Sequence, residues 1–133
     1  MVKITKDIDV VYHCAATAYE GLSVFSPYVV TKNIVGITVS LVTAAIINNV
    51  KRFIYCSSMA RYGTNEVPFT ENMIPNPQDP YGIGKWAGEK FIKNICGTHG
   101  MDWVIAVPHN IIGPRQKYDD PYRNVASIMI NLM

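Results

Sequence analysis

The chain has 133 residues, 49% of them hydrophobic and 17% charged, with a formal net charge of +2. This is one domain's worth of sequence, enough to bury a core. A charge so close to neutrality speaks against a nucleic-acid or membrane partner.

In chain order, Asp9 to Cys14 reads as a short buried strand, a β-branched and aromatic run after a charged segment. Ala15-Ala16 close it with side chains small enough for something to approach the backbone. Thr17 to Val30 reads as a loop, and Thr31 or Asn33 opens a helix that ends at Asn48-Asn49. That helix is apolar nearly all round and should be covered on more than one side. Its longest apolar run, Ile34 to Ile47, is interrupted by Gly, Ser and Thr and reads as too short to cross a bilayer. No signal-peptide pattern is present. Phe53 to Ser57 is a second buried strand. A long loop follows from Met59 to Asp79, and loops of this length in a compact domain are usually functional. The next helix runs from Tyr81 to about Cys96, stopped by Gly97, and Trp103 to Val107 is a third strand broken by Pro108. After a loop from Asn110 to Asp120, Pro121 starts a last helix. The order βαβαβα predicts an α/β fold with a parallel sheet and helices on its faces. Cys14, Cys56 and Cys96 stand apart without zinc spacing, so no metal site is expected, and Cys14 and Cys56 read as reduced core thiols of a cytoplasmic protein.

The chemistry concentrates in Tyr81-Gly82-Ile83-Gly84-Lys85, with Cys56-Ser57-Ser58 upstream. A phenol and an ammonium at i and i+4 project from one helix face, one turn apart. Asp79 and Pro80 sit where a helix begins. A cation close by, aided by the helix N-terminus, is expected to lower the Tyr81 pKa and suit it to proton exchange. Gly82-Ile83-Gly84-Lys85-Trp86-Ala87 formally fits G-x-G-x-x-A but follows a Pro-rich loop, not a strand, and reads as close-packing surface.

Ser followed by Tyr-x-x-x-Lys resembles the short-chain dehydrogenase/reductase superfamily, in particular its extended NAD-dependent epimerase/dehydratase branch. Asp9–Ala16, Asn33–Gly36, Val50–Ser58, Tyr62-Gly63, Pro80–Lys85 and Pro108–Arg115 carry the resemblance in the family's order over nearly the whole chain. It implies a Rossmann-type doubly wound parallel sheet, here partial: residues 1–133 belong to a NAD(P)-binding domain and run into the substrate region after residue 110. No strand–glycine-rich turn–helix is present, so the pyrophosphate site is missing and the chain by itself is expected neither to hold NAD nor to be active.

The resemblance also implies roles. Tyr81 is the general acid/base. Lys85 tunes it and holds the nicotinamide ribose, and Ser58, with Ser57 as the competing register, holds the reacting oxygen. Ala15, Ala16, Ser57, Tyr81, Lys85 and Pro108 line the cofactor, NAD with NADP as the alternative. Ser58, Met59, Asn110 and Arg115 face a nucleotide-sugar substrate, and Asn33 supports the catalytic network or caps its helix. Dehydratases of the family carry an Asp-Glu pair where this chain has Met59-Ala60, which favours a C4 epimerase. A sugar reductase or hydroxysteroid-type dehydrogenase, or a non-catalytic association-only domain, stays open. In the family, the counterparts of helices 33–48 and 81–96 meet their mates in a homodimer, and Gly84, Ala87 and Gly88 would allow the close approach.

Overall fold

In the computed structural model, which describes residues 1–117, 119 and 125–133, three strands pair in parallel in the order β1 (Val10–His13), β2 (Arg52–Cys56), β3 (Asp102–Ala106). Val11, Phe53 and Trp103 stand side by side on one face of the sheet. Two residues on, His13, Tyr55 and Ile105 share that face. Two helical crossovers join the strands. The first is a continuous helix made of α1 (Pro27–Thr31), a π-helical segment (Lys32–Gly36) and α2 (Ile37–Ile47); the second is α3 (Pro80–His99). Parallel crossovers are right-handed almost without exception, so a strand order advancing in one direction puts both helices on the same face. Accordingly, Val42 and Ala45 of α2 and Ile92 and Cys96 of α3 close over Phe53 and Tyr55.

The partial Rossmann-type α/β fold expected from the sequence is therefore present, with one refinement. Both crossovers cover a single face. On the other face Tyr12 is 71% exposed and Val104 46%, and no helix among the described residues packs there. That is why β1, read as a buried strand, alternates between exposed and buried positions.

The boundaries shift for local reasons. The first helix begins at Pro27, not at Thr31 or Asn33, because proline is tolerated in the first turn. Its 21 residues, Pro27–Ile47, are long and apolar enough to cross a bilayer, unlike the shorter run read from the sequence. About a third of its most apolar stretch, 33%, is buried. The sheet and α3 cover two sides, and Thr5 donates to the Ala44 carbonyl at 3.1 Å from a third. Helix α3 runs through Gly97 to His99 and stops at Gly100, whose φ of +68° is left-handed and whose N–H reaches the Cys96 carbonyl. The long 59–79 loop opens with a short 3-10 turn, Met59–Arg61. The last described helix is α4 (Val125–Leu132); the expected start at Pro121 lies outside the described residues.

Candidate active site

A polar cleft opens at the C-terminal ends of the strands, where ligands of open α/β sheets bind. It holds about 420 Å³ and is lined by Ala18, Glu20, Ser57, Ser58, Tyr81 and Asn110 among others. An adjoining cleft of about 290 Å³ shares Glu20, Ser58 and Asn110 and adds Met59 and His109. Pro108 lines both.

Asp79 sets Tyr81 in place. Its carboxylate accepts the Gly82 N–H at 2.9 Å, capping α3, with Pro80 in the first turn. The same oxygen accepts from Ser23 Oγ at 3.2 Å, which ties the segment after β1 to the start of α3. Alternation along the β2 exit separates the two serines. Ser57 is buried and donates to Glu89 Oε1 at 2.5 Å, while Ser58 caps the Met59–Arg61 turn and hydrogen-bonds the Tyr81 phenol.

Lys85 departs from the sequence expectation. The residue is 3% exposed, and its ammonium donates to the Cys56 carbonyl at 2.8 Å and lies 5.9 Å from the centre of the Tyr81 ring. The Tyr81 pKa is raised, not lowered: burial dominates, the Ser58 hydrogen bond opposes it, and the charges of Glu20 and Asp79 add to it. Burial lowers the Lys85 pKa, opposed by Cys56 and Cys14.

The other expected residues divide. Asn110 and Pro108 reach the cleft. Met59 lines its neighbour and touches the His109 ring. Ala15 and Ala16 follow β1 after Cys14, but Ala18 forms the cleft wall from that segment. Arg115 lines a separate groove against α4, with Ser127 and Ile130. Asn33 is no helix cap: it lies in the π-helical segment and donates to Thr17 Oγ1 at 2.9 Å. Cys14 is exposed and Cys56 half-buried, so neither is the core thiol the sequence implied.

Two features escaped the sequence reading. Glu20 stands on the cleft, and partial burial, then the charge of Asp79, holds its carboxyl above the ordinary range. The cleft is thus not free of carboxyl groups, as Met59-Ala60 had suggested; the position of Glu20 in the loop after a strand was the available signal. Behind the cleft, buried Glu89 joins Ser57 to Arg61, whose Nη1 lies 2.8 Å from the carboxylate. Glu89 sits four residues beyond Lys85, a spacing that puts it on the same inward face.

The site suits the nicotinamide half of a dinucleotide. Lys85 is almost fully buried as a residue, its ammonium carries three donors, and only the Cys56 carbonyl accepts from it among the described residues. Two donors of that ammonium are left to serve the hydroxyl oxygens of a ligand.

Known proteins resemble this chain in sequence and in fold. The UDP-glucose 4-epimerase of Mycolicibacterium smegmatis is 35% identical over 125 residues, covering 92% of this chain and 39% of that protein. The human dTDP-D-glucose 4,6-dehydratase is 34% identical over 114 residues, covering 84% of this chain and 32% of that one. Among solved structures, a UDP-N-acetylglucosamine 4-epimerase from Methanobrevibacter ruminantium M1, in complex with UDP-N-acetylmuramic acid, superposes with a TM-score of 0.93 at 35% identity, covering 98% of this chain and 42% of that one. The chain thus spans well under half the length of these relatives. The model of the NAD dependent epimerase/dehydratase family matches residues 1–133, and the chain belongs to that family.

Proposed function

We propose that this chain carries the proton-transfer half of an NAD-dependent nucleotide-sugar 4-epimerase. The observation behind the reading is the convergence of Tyr81, hydrogen-bonded by Ser58, on a polar cleft with a buried, under-coordinated Lys85 beneath it. The Tyr81 phenolate takes the proton of the sugar C4 hydroxyl and gives it back after the sugar turns over. Ser58 Oγ holds that oxygen throughout, and Lys85, with Ser57, Pro108 and the Ala15-Ala16 pair, holds the cofactor. NAD, when bound, supplies the acceptor and later donor of the C4 hydride. Asn110 and Met59 meet the sugar, and Arg115 reaches the nucleotide from its separate groove.

A dehydratase is the second reading, favoured by Glu20, which puts an extra acid/base beside Tyr81. A sugar reductase, use of NADP and a non-catalytic association domain remain outcomes of the same test. A cytoplasmic homodimer completes the proposal, with its contact moved. Gly84 and Gly88 face Ile34 and Tyr55 inside the subunit, so the outward face of α3 is instead Ile83, Trp86, Ala87 and Phe91, which line a groove of about 470 Å³.

The test uses the full-length protein with UDP-hexoses. NMR should show inversion at C4 without loss of water, and Tyr81→Phe should lower turnover by roughly two to four powers of ten. Loss of water from the sugar, abolished by Glu20→Gln, would replace the epimerase with the dehydratase. Reduction without inversion would select the reductase, and no turnover with any sugar nucleotide the association domain.

A further inference from the structure

We propose that Cys14 and Cys56 form an oxidisable dithiol site that takes a peroxide as its co-reactant. The two sulfurs are 3.4 Å apart and both thiols are free. They follow directly on the His13–Tyr55 pair, the last rung between β1 and β2, and so leave neighbouring parallel strands together. Side chains alternate along a strand. His13 and Tyr55 turn into the core, so Cys14 and Cys56 project from the bare face beside Tyr12 and Ile54. Neighbouring strands lie about 4.8 Å apart, within the Cα separation that a disulfide spans.

Exposure assigns the order of events. Cys14 is exposed and meets the oxidant; Cys56, half-buried behind it, resolves. Burial and the neighbouring Cys14 raise the Cys56 pKa, and the Lys85 ammonium, held at the Cys56 carbonyl, opposes them. This suits Cys56 to the second step and leaves the exposed Cys14 to meet the oxidant. The Cys14 thiolate displaces hydroxide from hydrogen peroxide and becomes a sulfenic acid. Cys56 sulfur then attacks the Cys14 sulfur and expels the second hydroxide. The two thiols lose two electrons, the peroxide becomes two waters, and both thiol protons end in those waters. The new bond ties Cys14-Ala15-Ala16 to Cys56-Ser57-Ser58, the segments on which Ser58 and the Lys85 anchor depend. Cys96, buried in the core, is the internal control.

The experiment treats the folded full chain with hydrogen peroxide, alkylates it, and maps the peptides by mass spectrometry. The expected product is a Cys14–Cys56 peptide pair lighter by two hydrogens, released by dithiothreitol, with Cys96 unpaired. Cys96→Ser should keep the link, and Cys14→Ser should abolish it. Wild-type mapping alone decides the matter if a variant misfolds. Cys14 driven to sulfinic acid without a linked peptide, both thiols staying reduced, or an equal yield of the link in denaturant would each overturn the proposal.

Discussion

The Lys85 ammonium donates to the Cys56 carbonyl at 2.8 Å and stands 5.9 Å from the centre of the Tyr81 ring. It tethers α3 to the end of β2 and does not pair with the phenol. In the cofactor-free chain, Lys85→Met should therefore leave the Tyr81 titration in place. Ser58→Ala should raise it, because the Ser58 hydrogen bond is what opposes burial. NMR of ring-labelled tyrosine measures both. A rise in the Lys85→Met chain would restore the role first read from the i, i+4 spacing.

Glu89 is 1% exposed at its side chain and Arg61 11%, and Ser57 shares the carboxylate. Removing one partner of a buried ion pair leaves the other charge unpaired at a cost of about 3–5 kcal/mol. Glu89→Ala should lose stability on that scale in urea unfolding. The double variant Glu89→Leu with Arg61→Met should lose much less, since it leaves no buried charge. Equal losses in the two would show that the pair's charge is not what matters.

A methyl group on Gly88 would come 2.4 Å from the Tyr55 hydroxyl. Tyr55 is fully buried and its hydroxyl lies 3.4 Å from the Lys85 carbonyl, so the ring has little room to retreat. Gly88→Ala should cost about 1–3 kcal/mol, the usual penalty of overpacking. Tyr55→Phe should recover part of it by removing the clashing oxygen. Thermal melts of the two single variants and the double variant give the coupling, and additive losses would place the strain elsewhere.

His13 is buried with Nε2 2.8 Å from Thr38 Oγ1, and its pKa falls to about 4, first through burial and then through the charge of Lys85. The unfolded chain takes up the imidazole proton near pH 6.5 while the folded one does not, so stability is lost as pH falls from 6.5 toward 4. Between pH 7 and pH 5 the loss from this residue should be about 2 kcal/mol. Urea midpoints across that range should show it in the wild type and not in His13→Asn. A matching slope in the variant would assign the loss to other groups.

The amino-acid sequence by itself determined what depends on neighbours along the chain. The strand–helix alternation, the Asp79-Pro80 start of α3 and the projection of Tyr81 and Lys85 from adjacent turns all follow from periodicity and capping within a few residues. Where local signals competed, the reading slipped: Gly97 looked like a stop, but a mid-helix glycine costs only about 1 kcal/mol and packing carries α3 on to Gly100. Only the tertiary structure decided what depends on distant segments meeting. Strand order and crossover handedness put both helices on one face of the sheet. The return of the loop after β1 to the start of α3 brought Glu20 beside Tyr81, and the depth of burial there outweighed the helix terminus and raised the phenol's pKa. The β1–β2 register set Cys14 against Cys56, 42 residues apart in the chain. Spacing along a helix fixes which side chains share a face, but which groups then surround them, and how much water is left, is set by the packing of the whole fold.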